Sequence, residues 1–243
     1  MDAGGVITNL ETQDKLGRMA APMLPKVSFL DPTLTYTVSP YQTACGAADM
    51  MSHILEVYFN LNEDLFMLDS MMEAMLKTIV KFAPVAIAEP ENYEARANLM
   101  WCSSWAINGF INGGRRKAWS CHPMEHELSA IYDIAHGHGL AILTPRWMEY
   151  CLEESNAHRY VSLGVNVFGI DPKGEPMAIA KECIERMREF MSVTLNLPYT
   201  FTEVGIKRED FATMARKACR YGAIRGFKTL EPQDVERIYE MCI

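Results

Sequence analysis

No two of the seven cysteines (Cys45, Cys102, Cys121, Cys151, Cys183, Cys219, Cys242) stand in C-x-x-C spacing, and their number is odd. That excludes a disulfide framework or a zinc ribbon and reads as reduced thiols in a cytoplasmic protein. No basic run appears either: 23 Lys and Arg against 31 Asp and Glu leave a net charge of −8. A nucleic-acid partner is excluded on that ground, since neutralising phosphates takes a basic face. The opening MDAGGVITNLETQDK holds acidic residues early and no apolar core, so no secretory signal is read there. Glycine and proline are sparse, 15 and 12, beside a hydrophobic share of 49%. Disordered and collagen-like chains are thereby ruled out. One uncharged run exists at 97–114, but its two Ser, three Asn and three Gly make it a buried helix and not a membrane span. There is no G-x-G-x-x-G, no P-loop and no strand-Gly-helix turn, so these residues hold no phosphate cradle for a nucleotide.

What is present falls into two textures. VITN and KLGR flank the polar turn LETQD, and KVSFLDPTLTYTV at 26–38 is rich in β-branched and aromatic residues, which predicts a short β region. From Ser39 onward the chain reads as helix. Ser39 is a good N-cap and Pro40 a good first helical residue, opening a helix to about 60. Further helices are expected at about 64–83, 91–111, 123–135, 138–155 with a kink at Pro145, 157–167, 176–195, 208–222 and 232–242. The stretch NGGRRKAWSC reads as a flexible link. The whole predicts a mostly α protein with a small β segment at its start.

Five of the six histidines fall in two places: His53, and the cluster His122, His126, His136 and His138. Asp49 and His53 are one helical turn apart, so they face the same way and can grip one metal ion, unless they are an ordinary helical pair. His122 and His136 are fourteen residues apart, ~20 Å if all were helical, which is too far for one ion. Both serve it only if one lies off the straight helix or the chain bends near Gly137. One Asp and three His form an oxygen and nitrogen donor set suited to divalent zinc or iron. His126, one turn after His122, then faces the same pocket and can relay a proton. His138 reads as a polar turn residue and His158 as a surface residue at a helix start. Glu125 and Glu127 suit the start of their helix, and Glu127 can also orient a ligand histidine.

The runs LDPTLTYTVSPYQTACGAADMMSHILEVYF and AWSCHPMEHELSAIYDIAHGHGLAILTPRWMEY resemble two long signatures of the iron-containing (group III) alcohol dehydrogenases, in the butanol dehydrogenase branch. The resemblance implies a dehydroquinate-synthase-like fold, of which residues 39–243 form the all-helical metal-binding domain. Residues 1–38 then correspond to a β-hairpin and strand left from the α/β nucleotide-binding domain. It also implies that Asp49, His53, His122 and His136 bind Fe2+ or Zn2+, and that His126 stands beside the nicotinamide. Lys15, Tyr36 and Val38 would approach the nicotinamide ribose and ring of NAD(P). The implied substrates are a small alcohol and its aldehyde, and the implied assembly is a homodimer. Members of the family carry a Gly-Gly-Gly-Ser loop and a Thr-Thr-x-Gly-Thr-Gly-Ser-Glu segment, and neither occurs here. The expectation is therefore a metal-dependent, NAD(P)-linked alcohol dehydrogenase, truncated and poorly active alone. The alternative is a non-catalytic metal-binding helical module. A metallohydrolase is disfavoured, because His126-Glu127 is followed by Leu128, Ser129 and Ala130, leaving H-E-x-x-H without its second histidine.

Overall fold

In the computed structural model, residues 4–60, 65–113 and 119–243 are described. Residues 114–118 of the expected flexible link, and residue 64 of the second expected helix, lie outside them. The chain opens with an antiparallel hairpin, β1 (Gly4–Asn9) and β2 (Asp14–Met19), paired from Gly4 against Met19 to Asn9 against Asp14. The turn LETQD closes it, with the Asn9 side chain accepting from the Glu11 N–H and Gln13 in the left-handed region.

The strand expected over 26–38 does not form. A strand needs a ladder partner, and the sheets of the described residues pair only β1 with β2 and two short strands far along the chain. Asp31 and Pro32 instead start a 3-10 turn, Pro32–Thr35, whose Asp31 side chain accepts from the Thr33 N–H and hydroxyl.

The body consists of α1 (Pro40–Tyr58), α2 (Phe66–Ala88), α3 (Tyr93–Ile107), α4 (Cys121–Tyr132), α5 (His136–Cys151), α6 (Ala157–Phe168), α7 (Pro176–Glu189), α8 (Phe211–Ala218) and α9 (Pro232–Glu240). The Ser39 hydroxyl accepts from the Gln42 N–H and Asn92 caps α3 through the Ala95 N–H, as those residue types favour. Several boundaries differ from the sequence reading. Pro84 lies inside α2, which runs on to Ala88. The last turn expected of α7 is a π-turn over Phe190–Thr194. The short pair β3 (Ile224–Arg225) and β4 (Thr229–Leu230) occupies the stretch before α9. Helix α3 is half-exposed and carries Trp101 at the surface, so the uncharged run is not a buried helix throughout. No helix among the described residues is long and apolar enough to cross a membrane.

Helix α5 is buried from Gly137 to Met148 and packs against α1, α4 and α7. Gly137 is there because a side chain would not fit: a Cβ would lie 1.9 Å from the Cys45 carbonyl oxygen of α1. Met51, Ile54, Leu55 and Tyr58 of α1 and Trp147 of α5 form the centre of the core. All seven cysteines are buried and free.

Candidate metal centre

Asp49 and His53 sit one turn apart on α1, as expected, and His122 lies in the first turn of α4. His136 reaches them because it lies off the straight helix, the first of the two arrangements the spacing allowed. Helix α4 stops at Tyr132, and Asp133 takes a left-handed conformation, φ 52°. Residues 133–135 then run back along α4, where the Ile134 carbonyl lies 3.0 Å from Ser129 Oγ. The His136 ring thus returns to within 5.1 Å of the His122 ring, centre to centre. The bend precedes His136, while Gly137 serves the close approach to α1.

Four donor atoms converge. Asp49 Oδ1 lies 3.4 Å from His53 Nε2, 3.7 Å from His122 Nε2 and 3.8 Å from His136 Nε2, and the Nε2 atoms of His53 and His122 are 3.3 Å apart. Four ligands held about 2.1 Å from one ion at tetrahedral angles stand ~3.4 Å apart, so the spacing matches a zinc- or iron-sized site. Asp49 Oδ1 is buried without a hydrogen-bond partner among the described residues, as an atom reserved for a cation would be. The donor set therefore fits a divalent ion.

The electrostatics agree. Burial alone would raise the Asp49 carboxyl, but the imidazoles of His122, His53 and His136 around it hold it below its usual value. Burial and the neighbouring His122 push His53 down to about 4. His122 is pulled the other way, up to about 10: burial opposes its charge, but Glu56 and Asp49 on either side outweigh it. A proton between two carboxylates there occupies the place of a positive ion.

A cavity of about 510 Å³ opens over these donors, walled by Trp119, Ile107, Pro123 and the hairpin residues Val6 and Met19. His126 lines this cavity and an adjoining one of about 270 Å³ that is bordered by Lys15, Arg220 and Tyr221. Burial, with His136, His122 and Lys15 nearby, lowers His126 to about 3, so it is neutral. Lys15 points at the centre from β2, with Nζ 3.5 Å from His136 Nδ1 and 3.6 Å from Glu125 Oε2. Tyr36 ends the 3-10 turn and lines neither cavity, nor a third of about 340 Å³ where Val38 borders Asp49 and Arg96. The structure therefore brings Lys15 and His126 to the centre, and Val38 only to its far side.

Two buried carboxylates complete the site, and the sequence reading named neither role. Glu56 bonds His122 Nδ1 and accepts the N–H groups of Ser120 and Cys121. Glu125 bonds His136 Nδ1. Glu127, read as suited to the helix start and able to orient a histidine, turns to Arg220 and Lys217. The missed signal for Glu56 is its spacing: residues 49, 53 and 56 follow one helical face. His138 is not a turn residue. It is buried in the first turn of α5 between the Tyr41 hydroxyl, 3.1 Å, and the Pro198 carbonyl, 2.8 Å. His158 is exposed on α6.

A helical body that brings one Asp and three His together beneath a cavity carries a candidate metal centre, and comparison with known proteins gives its family. Residues 43–243 match the C-terminal part of the Fe-containing alcohol dehydrogenase family, and the chain belongs to that family. It is 48% identical over 242 residues to NADH-dependent butanol dehydrogenase A of Clostridium acetobutylicum, covering 99% of this chain and 62% of the relative. A probable NADH-dependent butanol dehydrogenase of Bacillus subtilis is 39% identical, with 100% and 62% covered. Among solved structures, an NADH-dependent butanol dehydrogenase A of Thermotoga maritima superposes with a TM-score of 0.92 at 34% identity, covering 100% of this chain and 62% of that one. The Escherichia coli protein YqhD gives 0.93 at 30% identity, with the same coverage. The chain thus spans about three fifths of the length of these relatives.

Proposed function

We propose that this chain forms the metal-holding part of an NAD(P)-linked alcohol dehydrogenase that interconverts a small primary alcohol and its aldehyde. The observation that carries the reading is that Asp49 Oδ1 lies 3.4–3.8 Å from the Nε2 atoms of His53, His122 and His136 beneath a cavity. The four side chains would hold Fe2+ or Zn2+. When bound, the ion supplies Lewis-acid polarisation of an alcohol or carbonyl oxygen, and the nicotinamide supplies or accepts the hydride. The chain's own residues do the rest. Trp119, Ile107 and Pro123 give the cavity an apolar wall that limits water. His126, which lines both cavities, stands where the alcohol proton would pass outward. Lys15 places a positive charge where a nicotinamide ribose would lie; Tyr36 and Val38, which the resemblance also put beside the cofactor, border neither of the two cavities that His126 lines. The names of the relatives support a nicotinamide cofactor and an alcohol substrate.

The reading assigns 39–243 to the metal domain and 1–38 to the nucleotide-binding side, supported by the family match beginning at residue 43. It includes a homodimer, on the resemblance, and a cytoplasmic setting, on the seven free thiols. Because these 243 residues hold no glycine-rich phosphate loop, tested alone they are expected to bind metal and to turn over slowly or not at all. Isothermal titration decides: one divalent ion per chain and NADH binding that requires the ion support the dehydrogenase. Metal binding without any NADH binding favours the non-catalytic module, and butanol oxidation at ordinary rates by this chain overturns the expected slowness.

A further inference from the structure

The three histidines of the centre are not held alike. His122 Nδ1 meets Glu56 and His136 Nδ1 meets Glu125, whereas His53 Nδ1 is buried with no hydrogen-bond partner among the described residues and the ring rests edge-on against Trp119. Both glutamates are buried, and both are anchored. Glu56 takes a hydrogen bond from the Ser52 hydroxyl, 3.0 Å, and from the Cys121 N–H, 3.0 Å, and Glu125 takes one from the Ser129 hydroxyl. Gly139 leaves room for Glu125, since a Cβ there would lie 2.8 Å from its Cγ. A buried carboxylate is costly unless it is paired, so two of them aimed at the outward nitrogens of two converging imidazoles call for an account.

A neutral imidazole carries one N–H and one lone pair. With the proton on Nδ1 shared with a carboxylate, the lone pair is fixed on Nε2, which faces Asp49, and the carboxylate makes that nitrogen more basic. We infer that Glu56 and Glu125 are the positioning residues of the centre: they hold His122 and His136 as Nε2 donors and set its affinity for a divalent cation. His53 has no such carboxylate among the described residues and rests edge-on against Trp119. Lys15, 3.6 Å from Glu125, is the counter-charge of that outer carboxylate and weakens the site's hold on a cation. The inference rests on the metal reading above.

The test is Co2+ titration of the metal-free chain, read by its visible absorption, for the wild type, Asp49→Ala, Glu56→Gln, Glu125→Gln and Lys15→Met, with circular dichroism to check folding. Glutamine keeps the size of the side chain, but its amide N–H turned to Nδ1 reverses the hydrogen bond and favours the proton on Nε2. Each glutamine variant is expected to bind Co2+ about 10- to 100-fold more weakly, with altered bands. Lys15→Met is expected to bind it about threefold more tightly, because one positive charge leaves the neighbourhood. A residue with only a structural role would not give effects of opposite sign. Binding within twofold of wild type by either folded glutamine variant, or weaker binding by Lys15→Met, overturns the inference. Should a glutamine variant fail to fold, Lys15→Met decides. Failure of the wild type to bind Co2+, or undiminished binding by Asp49→Ala, overturns the metal reading and the inference together.

Discussion

The helical body and the first forty residues are held by different forces. In the body, Met51, Ile54, Leu55, Tyr58 and Trp147 are fully buried, each worth about 1.5–3 kcal/mol of apolar transfer. In the first forty residues many apolar side chains face out: Phe29 is 93% exposed and Leu10 83%. What fastens the hairpin to the body is charge. Asp14 meets Arg220 at 2.8 Å and Lys217 at 3.1 Å, Glu127 of α4 meets the same two cations, and Lys217 also donates to the Gln13 carbonyl at 2.6 Å. Lys15 adds its contact to Glu125. The difference shows how the site is built. Its donors stand on a rigid apolar frame, and one wall of its cavity is a ribbon seated by ion pairs that salt can loosen.

Four changes probe that contrast, the first pair aimed at the frame. Gly137→Ala should have the largest effect, because its methyl would meet the Cys45 backbone at 1.9 Å and force α1 and α5 apart. We expect a loss above about 3 kcal/mol or no soluble protein, read by thermal melting and yield. Trp147→Ala should leave a cavity and cost about 3–5 kcal/mol, lowering the melting temperature by roughly 10 °C. An unchanged melt in either case would mean that α5 is not the central support described.

The third change spares the frame. Asp49→Ala should keep the helical circular dichroism of the wild type while reducing Zn2+ affinity by at least about 100-fold, since a centre of four ligands loses its only anion. The smallest effect is expected at the ribbon. Arg220→Met removes ion pairs that are partly open to solvent, so the body should melt within about 1 kcal/mol of wild type. The hairpin, however, should be cleaved several-fold faster by a protease in limited digestion. Wild type in 1 M NaCl should behave likewise, because the screening length falls to about 3 Å. Equal cleavage rates with and without Arg220 would contradict a charge-seated hairpin.

The parts of this arrangement that could be read from the chain are those that local chemistry fixes. Ser39 and Pro40 announce α1, and Asp49 with His53 marks the face it turns to the site. The hairpin is visible as two short runs around LETQD. The β-branched stretch 26–38 misleads because a strand depends on a partner, and Asp31 with Pro32 satisfies the backbone locally instead. The return of His136 depends on one left-handed residue, Asp133, which looks in sequence like any helix-ending aspartate. Gly137 stands next to that bend and suggests a hinge, but what it meets is the backbone of α1, a contact with no signal in its own neighbourhood. Glu56 could have been found by extending the face of Asp49 by two turns. Choosing between Glu125 and Glu127 needed the position of His136 and of Arg220, and both come from distant parts of the chain.

The central claim is that Asp49, His53, His122 and His136 form one metal centre. Anomalous diffraction from crystals of the metal-loaded chain, collected on either side of the iron and zinc edges, tests it most directly. The account predicts a single peak about 2.0–2.2 Å from a carboxylate oxygen of Asp49 and from the Nε2 atoms of the three histidines. No peak at that point, or a peak held by other side chains, would contradict it.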